Sequence, residues 1–488
     1  MTVSYAATVR QRRWPLDAAV RLSAIVFISA VLLAAAIRLE WLAVGVVLFG
    51  AACVLTCWRP RYGLTCVIVA AVVLEPIPQD PITHIGWQLQ SDLASWTPLS
   101  FVHLFPLELL LLVTLGAVVV QRLVAHQPWT RADLRRPMLL LLGLVVVSLA
   151  WGMSRGGWSS AALWQTRGFF ALGAVALLAP QVYRTRAEIE TVVNLIVVGT
   201  VLSSVEILWR RYTQVDAWRG VPIDLAFAHD TPVFMNFVVV LLLARLIWPS
   251  SGRQRLGALA IPLILWAEMA TQRRAGWVGL DLALLLLAAF MFRMRRKHFF
   301  LLVLPLTLLY CGYLGVFWNS EGILAQPARA VRSISNPNAR DQSSNYYRYT
   351  ETADIRLNIR ANPVTGIGFG KSFIFYIPLA DLSSWVFWHY IAHNSLLWLW
   401  MYTGPIGFIA FLSLIGNGIV RGVQILKRST RSHSAPYLVA LTSALLMIAS
   451  YSYVDVSLTS IRIAAIFGLT LGAIGVWPHL SVSDEGGC

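Results

Sequence analysis

The sequence predicts an all-α polytopic membrane protein of about 12–14 transmembrane helices, interrupted by one large, partly helical segment outside the membrane. Three observations carry that prediction. Hydrophobic residues make up 57% of the chain and charged residues only 13%, against roughly half and about a quarter in ordinary soluble domains. Apolar runs able to cross about 30 Å of hydrocarbon, some only with their flanks, recur along the chain. The arginines fall mostly in short segments between alternate runs, as the positive-inside rule expects.

Taken in order, the runs centre near residues 30, 50, 70, 113, 145, 171, 200, 240, 264, 284, 308, 405, 445 and 467. The first follows a basic lead of Arg10, Arg12, Arg13 and Arg21 and resembles a signal peptide with small residues at Ala34 to Ala36. A second run follows almost at once, so a retained first helix is expected. Pro262 and Pro305 lie inside runs, where neighbouring helices can satisfy the freed carbonyls. Eleven helices are expected over residues 1–318, an extracytoplasmic segment over 319–393, and the closing helices and cytoplasmic tail over 394–488. No repeat or linker divides the chain, which reads as a single integral domain. Within the outer segment, Ser343 to Ala361 has helical character.

The net charge of +16 would suggest nucleic acid in a soluble chain. Here 23 of the 39 basic residues sit in alternating short segments, so lipid head groups and phosphates are the expected partners and nucleic acid is not. The basic residues placed against this bias concentrate at the Arg273-Arg274 turn and in the outer segment. Their guanidinium forks match phosphate oxygens bidentately, although a solvated basic face is the plainer alternative. On a 3.6-residue period Arg348, Arg356 and Arg360 fall within about one third of a helix circumference. Arg167 and Glu206 lie inside apolar runs, where a charge costs roughly 2.5–3.5 kcal/mol and must face protein or a polar cavity. Cys53, Cys57, Cys66 and Cys311 lie in apolar runs and Cys488 ends the chain, which reads as buried thiols without a disulfide framework.

The stretch from Asn362 to Gly407 carries the densest useful chemistry. Turn formers including Gly366, Gly368 and Gly370 lead to His393 and Asn394, where an apolar helix begins. His393 is the candidate general base, and nearby arginines are expected to favour its neutral form. His389 and His393 have the spacing of two zinc ligands on a helix, but the glutamate of that motif and a third ligand are missing, so no metal is expected. Gly366 to Lys371 superficially resembles a phosphate-cradling loop without its spacing or preceding strand; a tight turn is the better reading, although its backbone donors could still touch an anion. Trp385, Phe387 and Trp388 read first as an interfacial belt.

These residues carry a resemblance. His393-Asn394, nine residues, then Gly404-Pro405-Ile406-Gly407 resembles the H-[NSQ]-x9-G-x-x-G signature of bacterial O-antigen ligases and related polymerases. Asn362 to Gly370 looks like the Pro-rich turn upstream of it, and Gln272 to Trp277 is similar to the family's Ser-Arg-Gly-Ala-Trp segment, with Arg274 in the arginine place and Arg273 replacing the serine. The resemblance covers roughly residues 257 to 415. It implies a GT-C-like, inverting glycosyltransferase of the bacterial inner membrane, acting on the outer face and needing no nucleotide, metal or other cofactor. The donor would be a glycan on undecaprenyl diphosphate, and the acceptor a glycolipid such as lipid A-core or another glycan. His393 would take the acceptor proton. Arg274 or Arg273, with Arg348, Arg356, Arg360 and Arg167, would hold the diphosphate, supported by Asn394, Gly366, Gly368, Gly404 and Gly407. The alternatives are a polymerase of lipid-linked repeat units, or a transporter of lipid-linked glycan.

Overall fold

The computed structural model describes residues 40–77, 87–93, 103–215, 226–383, 385–430 and 432–480. Its principal helices are α1 (Glu40–Trp58), α2 (Pro60–Val73), α3 (Pro106–Val124), α4 (Arg135–Ser154), α5 (Ser159–Val182), α6 (Arg186–Arg210), α7 (Thr231–Ile247), α8 (Ile261–Thr271), α9 (Arg274–Met294), α10 (Leu304–Phe317), α11 (Gln326–Ser335), α12 (Ala339–Ala361), α13 (Ser395–Arg428), α14 (Ala435–Val454) and α15 (Ile461–Val476). Among the described residues, nine helices are long and apolar enough to cross a membrane, and α2 and α7 are shorter apolar ones. The protein is an all-helical, multi-pass membrane protein. Thirteen of the fourteen expected centres fall in helices. The centre near residue 30 and the basic lead lie outside the described residues.

The short helix α2 ends inside the bundle because side chains complete its hydrogen bonds. α2 stops at Val73, leaving its last carbonyls without intrahelical donors. Leu74 N–H serves Ala70, Arg462 Nε and Nη2 serve Ala71 (2.7 Å) and Val72 (3.0 Å), and Ser203 Oγ serves Val73 (2.9 Å). Arg462 also pairs with Asp230, while Glu75 accepts from Arg210 and Thr231, and Arg210 reaches Glu206 at 2.7 Å. Glu206 is thus paired within protein, as an in-span charge must be.

α15 is central, with 94% of its apolar window buried, whereas the span containing α10 has none buried. Glycine sets the close approach of α15 to α5. A Cβ on Gly468 would lie 2.8 Å from Leu172 O, and one on Gly472 2.9 Å from Ala176 O, the small-residue contact typical of helices in lipid. The expectation of buried cysteines fails at Cys57 and Cys311, which are exposed. An apolar run in a membrane helix supplies lipid-facing positions as well as core ones, so hydropathy alone does not bury a thiol. Cys488 lies outside the described residues.

The basic segments gather at one end of the bundle. Arg61 pairs with Glu188 (2.6 Å), Arg184 donates to Gln127 Oε1 (3.3 Å), Arg295 to Thr430 O (3.0 Å), and Arg421 lies 3.4 Å from Asp133. The 319–393 segment, the Arg273-Arg274 turn and the α14–α15 turn meet at the opposite end.

Candidate functional site

The site is built on a broken helix. α13 starts at Ser395, where Asn394 Oδ1 caps it by accepting from Leu397 N–H (3.0 Å). It breaks at Gly404, whose φ of 69° and ψ of −177° lie in a region essentially restricted to glycine. Pro405 has no N–H for the Met401 carbonyl. The turn at Gly366-Gly368 supplies the replacement: Ile367 N–H donates to Met401 O (2.9 Å) and Gly368 N–H to Tyr402 O (3.1 Å), with Ser148 Oγ adding a bond to Tyr402 O at 2.9 Å. Gly366 and Gly368 have φ of 67° and 83°. A Cβ on Gly368 would sit 2.4 Å from Gly152 N, and one on Gly407 2.3 Å from Thr403 Oγ1. The two glycine motifs therefore form one joint, and the backbone donors of Ile367 and Gly368 are consumed in it. Phe369 N–H goes to Ser148 O (3.2 Å) and Gly370 N–H to Gln165 Oε1 (2.6 Å). The expectation that these donors could touch an anion is thereby corrected.

His393, just before the cap, is held by Glu351 of α12. Its backbone N–H donates to Glu351 Oε2 at 2.8 Å, and its Nδ1 lies 3.1 Å from the same oxygen. Tyr347 meets the ring edge-on, with centroids 5.6 Å apart. Glu351 is 2% exposed at its side chain and His393 27%, so the histidine is the member solvent can reach. Burial pulls its pKa down, but Glu351 hydrogen bonding and charge, helped by Asp455, together raise it above the ordinary value despite Arg348. The expectation of a histidine biased neutral by arginines is corrected here, because a buried carboxylate in contact outweighs a more distant cation.

Asp455, in the α14–α15 turn, joins this pair to the cations. Its Oδ2 lies 3.5 Å from His229 Nδ1 and 3.6 Å from Arg348 Nη2. Burial raises its pKa, yet His229, Arg348 and His393 hold it well below the usual carboxylate range. Arg273 reaches the same cluster, with Nη1 3.3 Å from His229 Nδ1 and Nη2 donating to Phe227 O at 2.7 Å. Arg274 turns the other way, its Nε 3.5 Å from Asp341, which Arg329 also grips bidentately at 2.9 and 2.7 Å.

With this geometry in place, comparison with known families is informative: residues 258–412 match the family model described as O-antigen ligase. This stretch is O-antigen-ligase-like. No curated protein matches the chain. The family supports glycan transfer of the ligase or polymerase kind. The O-antigen-ligase-like stretch contains Arg273, Arg274, Arg348, Glu351 and His393, while His229 and Asp455 come to it from outside.

Besides Arg274, three predicted arginines do not join this cluster. Arg167 is buried at the far side of α5, donating to Asp92 Oδ1 (3.1 Å) and His103 O (3.0 Å) with Glu108 3.5 Å away; its in-span charge is neutralised internally. Arg356 and Arg360 are exposed. α12 turns Glu351, Asp354 and Asn358 inward, so positions one third of a turn from Arg348 already face solvent. Nor do His389 and His393 share a helix, since residues 385–390 form turns and His389 stacks on Phe375 at 4.4 Å. Phe387 stacks on Trp158 (5.6 Å), and Trp388 Nε1 donates to Tyr347 (2.8 Å), bracing the ring that meets His393 edge-on. The sequence reading missed Glu351, Asp455 and His229. Glu351, one helical turn beyond Arg348, carried the signal that could have found it.

Exchanging Arg for Lys separates the two arginines of the turn. Arg273→Lys is expected to lower transfer more than Arg274→Lys, because an ammonium cannot bridge His229 and a substrate oxygen with a planar fork. Initial rates of both variants on one lipid-linked donor check this; full activity in both removes the fork argument.

Proposed function

We propose that the protein is an inverting glycosyltransferase of the O-antigen ligase type. It transfers a glycan from undecaprenyl diphosphate to an acceptor hydroxyl, such as one on lipid A-core, at the outer face of the inner membrane. The observation that supports this best is the His393–Glu351 pair, which opens beside Arg348 and Arg273 of the family-matched stretch and beside His229 from outside it. Glu351 accepts a hydrogen bond from Nδ1–H, which leaves Nε2 to receive the acceptor's proton. As that proton moves, the acceptor oxygen attacks the anomeric carbon from the side opposite the diphosphate. The bond from that carbon to the diphosphate oxygen breaks, and the arginines stabilise the departing charge. The imidazolium later releases its proton to solvent or to the departed diphosphate. Purified protein, lipid-linked glycan and acceptor test the reading together: a new covalent glycoconjugate supports it, and glycan movement across vesicles without product replaces it with transport.

The pH profile tests the role of Glu351. Transfer requires neutral His393, so the rate falls as pH drops through a pKa raised above about 6.5. In Glu351→Gln the larger raising influence is lost, leaving only that of Asp455 against burial, so the acid limb moves to lower pH and the plateau rate drops. An unmoved limb assigns the titration to another group.

The sidedness rests on the basic segments. Cysteine placed at exposed Ser343 is expected to react with an impermeant reagent in intact cells, and cysteine at Arg131 is not. The reverse pattern inverts the topology.

A further inference from the structure

At the end of the bundle opposite His393, the α1–α2 turn, the end of α3 and the α5–α6 turn enclose a hollow of about 400 Å³. Arg59, Arg61, Arg122 and Arg184 line it, against one carboxylate, Glu188. That carboxylate is already engaged. Its Oε1 meets Arg61 at 2.6 Å, and its Oε2 caps α6 by accepting from the N–H groups of Arg184 (2.7 Å) and Thr185 (3.3 Å). Arg122 donates only to neutral oxygens, those of Pro128, Thr130 (3.1 Å) and Gln181 (3.3 Å). Arg184 reaches the amide oxygen of Gln127 at 3.3 Å, and Arg59 lies over the Trp58 ring at 5.2 Å.

Four guanidiniums from three separate elements thus face one concavity with a single negative charge among them. Cations gathered around one hollow repel one another, and an anion bound between them relieves that repulsion. Trp58, which lines the hollow, is 60% exposed, and Leu123 and Val124, which follow Arg122 at the end of α3, are 67% and 75% exposed. In a membrane-spanning chain such apolar side chains sit against lipid, which sets these ends of α1 and α3 at headgroup depth. Guanidinium forks match phosphate oxygens, and basic pockets between membrane helices hold anionic head groups.

We propose that this hollow binds the phosphate of an anionic phospholipid headgroup, which ties the α1–α2, α3 and α5–α6 ends together. The site is independent of the transfer reaction. A diffusely basic end predicts attraction in proportion to total charge, whereas a built pocket predicts dependence on these arginines in particular.

The test uses the full chain purified in detergent and titrated with phosphatidylglycerol, with zwitterionic phosphatidylcholine, or with glycerol 3-phosphate as the soluble phosphate. Native mass spectrometry reads the bound ligand and thermal unfolding reads the stabilisation expected of a ligand that binds the folded state. Phosphatidylglycerol is expected to bind and raise the unfolding temperature, and phosphatidylcholine not. The double variant Arg59→Gln/Arg184→Gln is expected to weaken that binding by about tenfold or more. Arg253→Gln/Arg255→Gln removes the same charge from exposed positions of the same end and is expected to leave it unchanged. Equal weakening in both double variants, or equal binding of both lipids, overturns the proposal. Equal binding of glycerol 3-phosphate overturns the lipid source and assigns the hollow to a soluble phosphate.

Discussion

His393→Ala lowers transfer by about 10²- to 10⁴-fold, the contribution of a positioned general base, while the lipid-linked donor still binds. The expectation follows from the contact between the ring and Glu351 and from its accessibility: the carboxylate is sealed and the imidazole is the open member of the pair. His389→Ala, whose ring stacks on Phe375 away from Glu351, costs much less. EDTA leaves the wild-type rate unchanged, since no step invokes a metal. Product formation and donor binding are measured for both variants. Near-wild-type turnover in His393→Ala moves the base role to another residue, His229 first, and loss of activity in EDTA with recovery on adding a divalent ion replaces the metal-free mechanism.

Gly404→Ala is the substitution expected to damage the fold most. A side chain is strained at φ 69°, ψ −177° by about 1–3 kcal/mol. The added Cβ would also fall 2.2 Å from Val364 O. Relieving that clash pulls the 364–368 turn off α13 and leaves the buried Met401 carbonyl unpaired, at about 1–3 kcal/mol more. The sum is about 2–6 kcal/mol of destabilisation. Gly416→Ala, in the same helix with nothing within 4 Å of its Cβ, is neutral or gains up to about 1 kcal/mol. Thermal unfolding and the monodisperse fraction in detergent compare the two, and equal stability contradicts the joint described between the glycine motifs.

This joint shows how far the sequence could be read. The Gly-Pro pair and the upstream glycines are visible as turn formers, but that one fills the carbonyls freed by the other is not. Nothing local pairs residue 367 with residue 401. The same holds for the base. His393 and Asn394 announce themselves at a helix start, but that Asn394 caps the helix is seen only in the structure. Glu351 lies 42 positions away on α12, and its contact reverses the expected direction of the histidine's pKa.

The sequence by itself determined the class of the protein, the approximate centres of the helices among the described residues, the helical part of the segment before His393, and the stretch that matches the O-antigen ligase family. These follow from hydropathy, length and short local motifs, which act on each segment independently of its neighbours. Only the tertiary structure decided which polar groups meet. Arg167 went to Asp92 and Glu108, Arg356 and Arg360 to solvent, Arg274 to Asp341, and Arg273 and Arg348 to the His229–Asp455 cluster. An arginine inside or beside hydrocarbon must find a partner, but which one is fixed by helix rotation and by contacts between residues far apart in the chain, and a one-dimensional pattern does not carry that information.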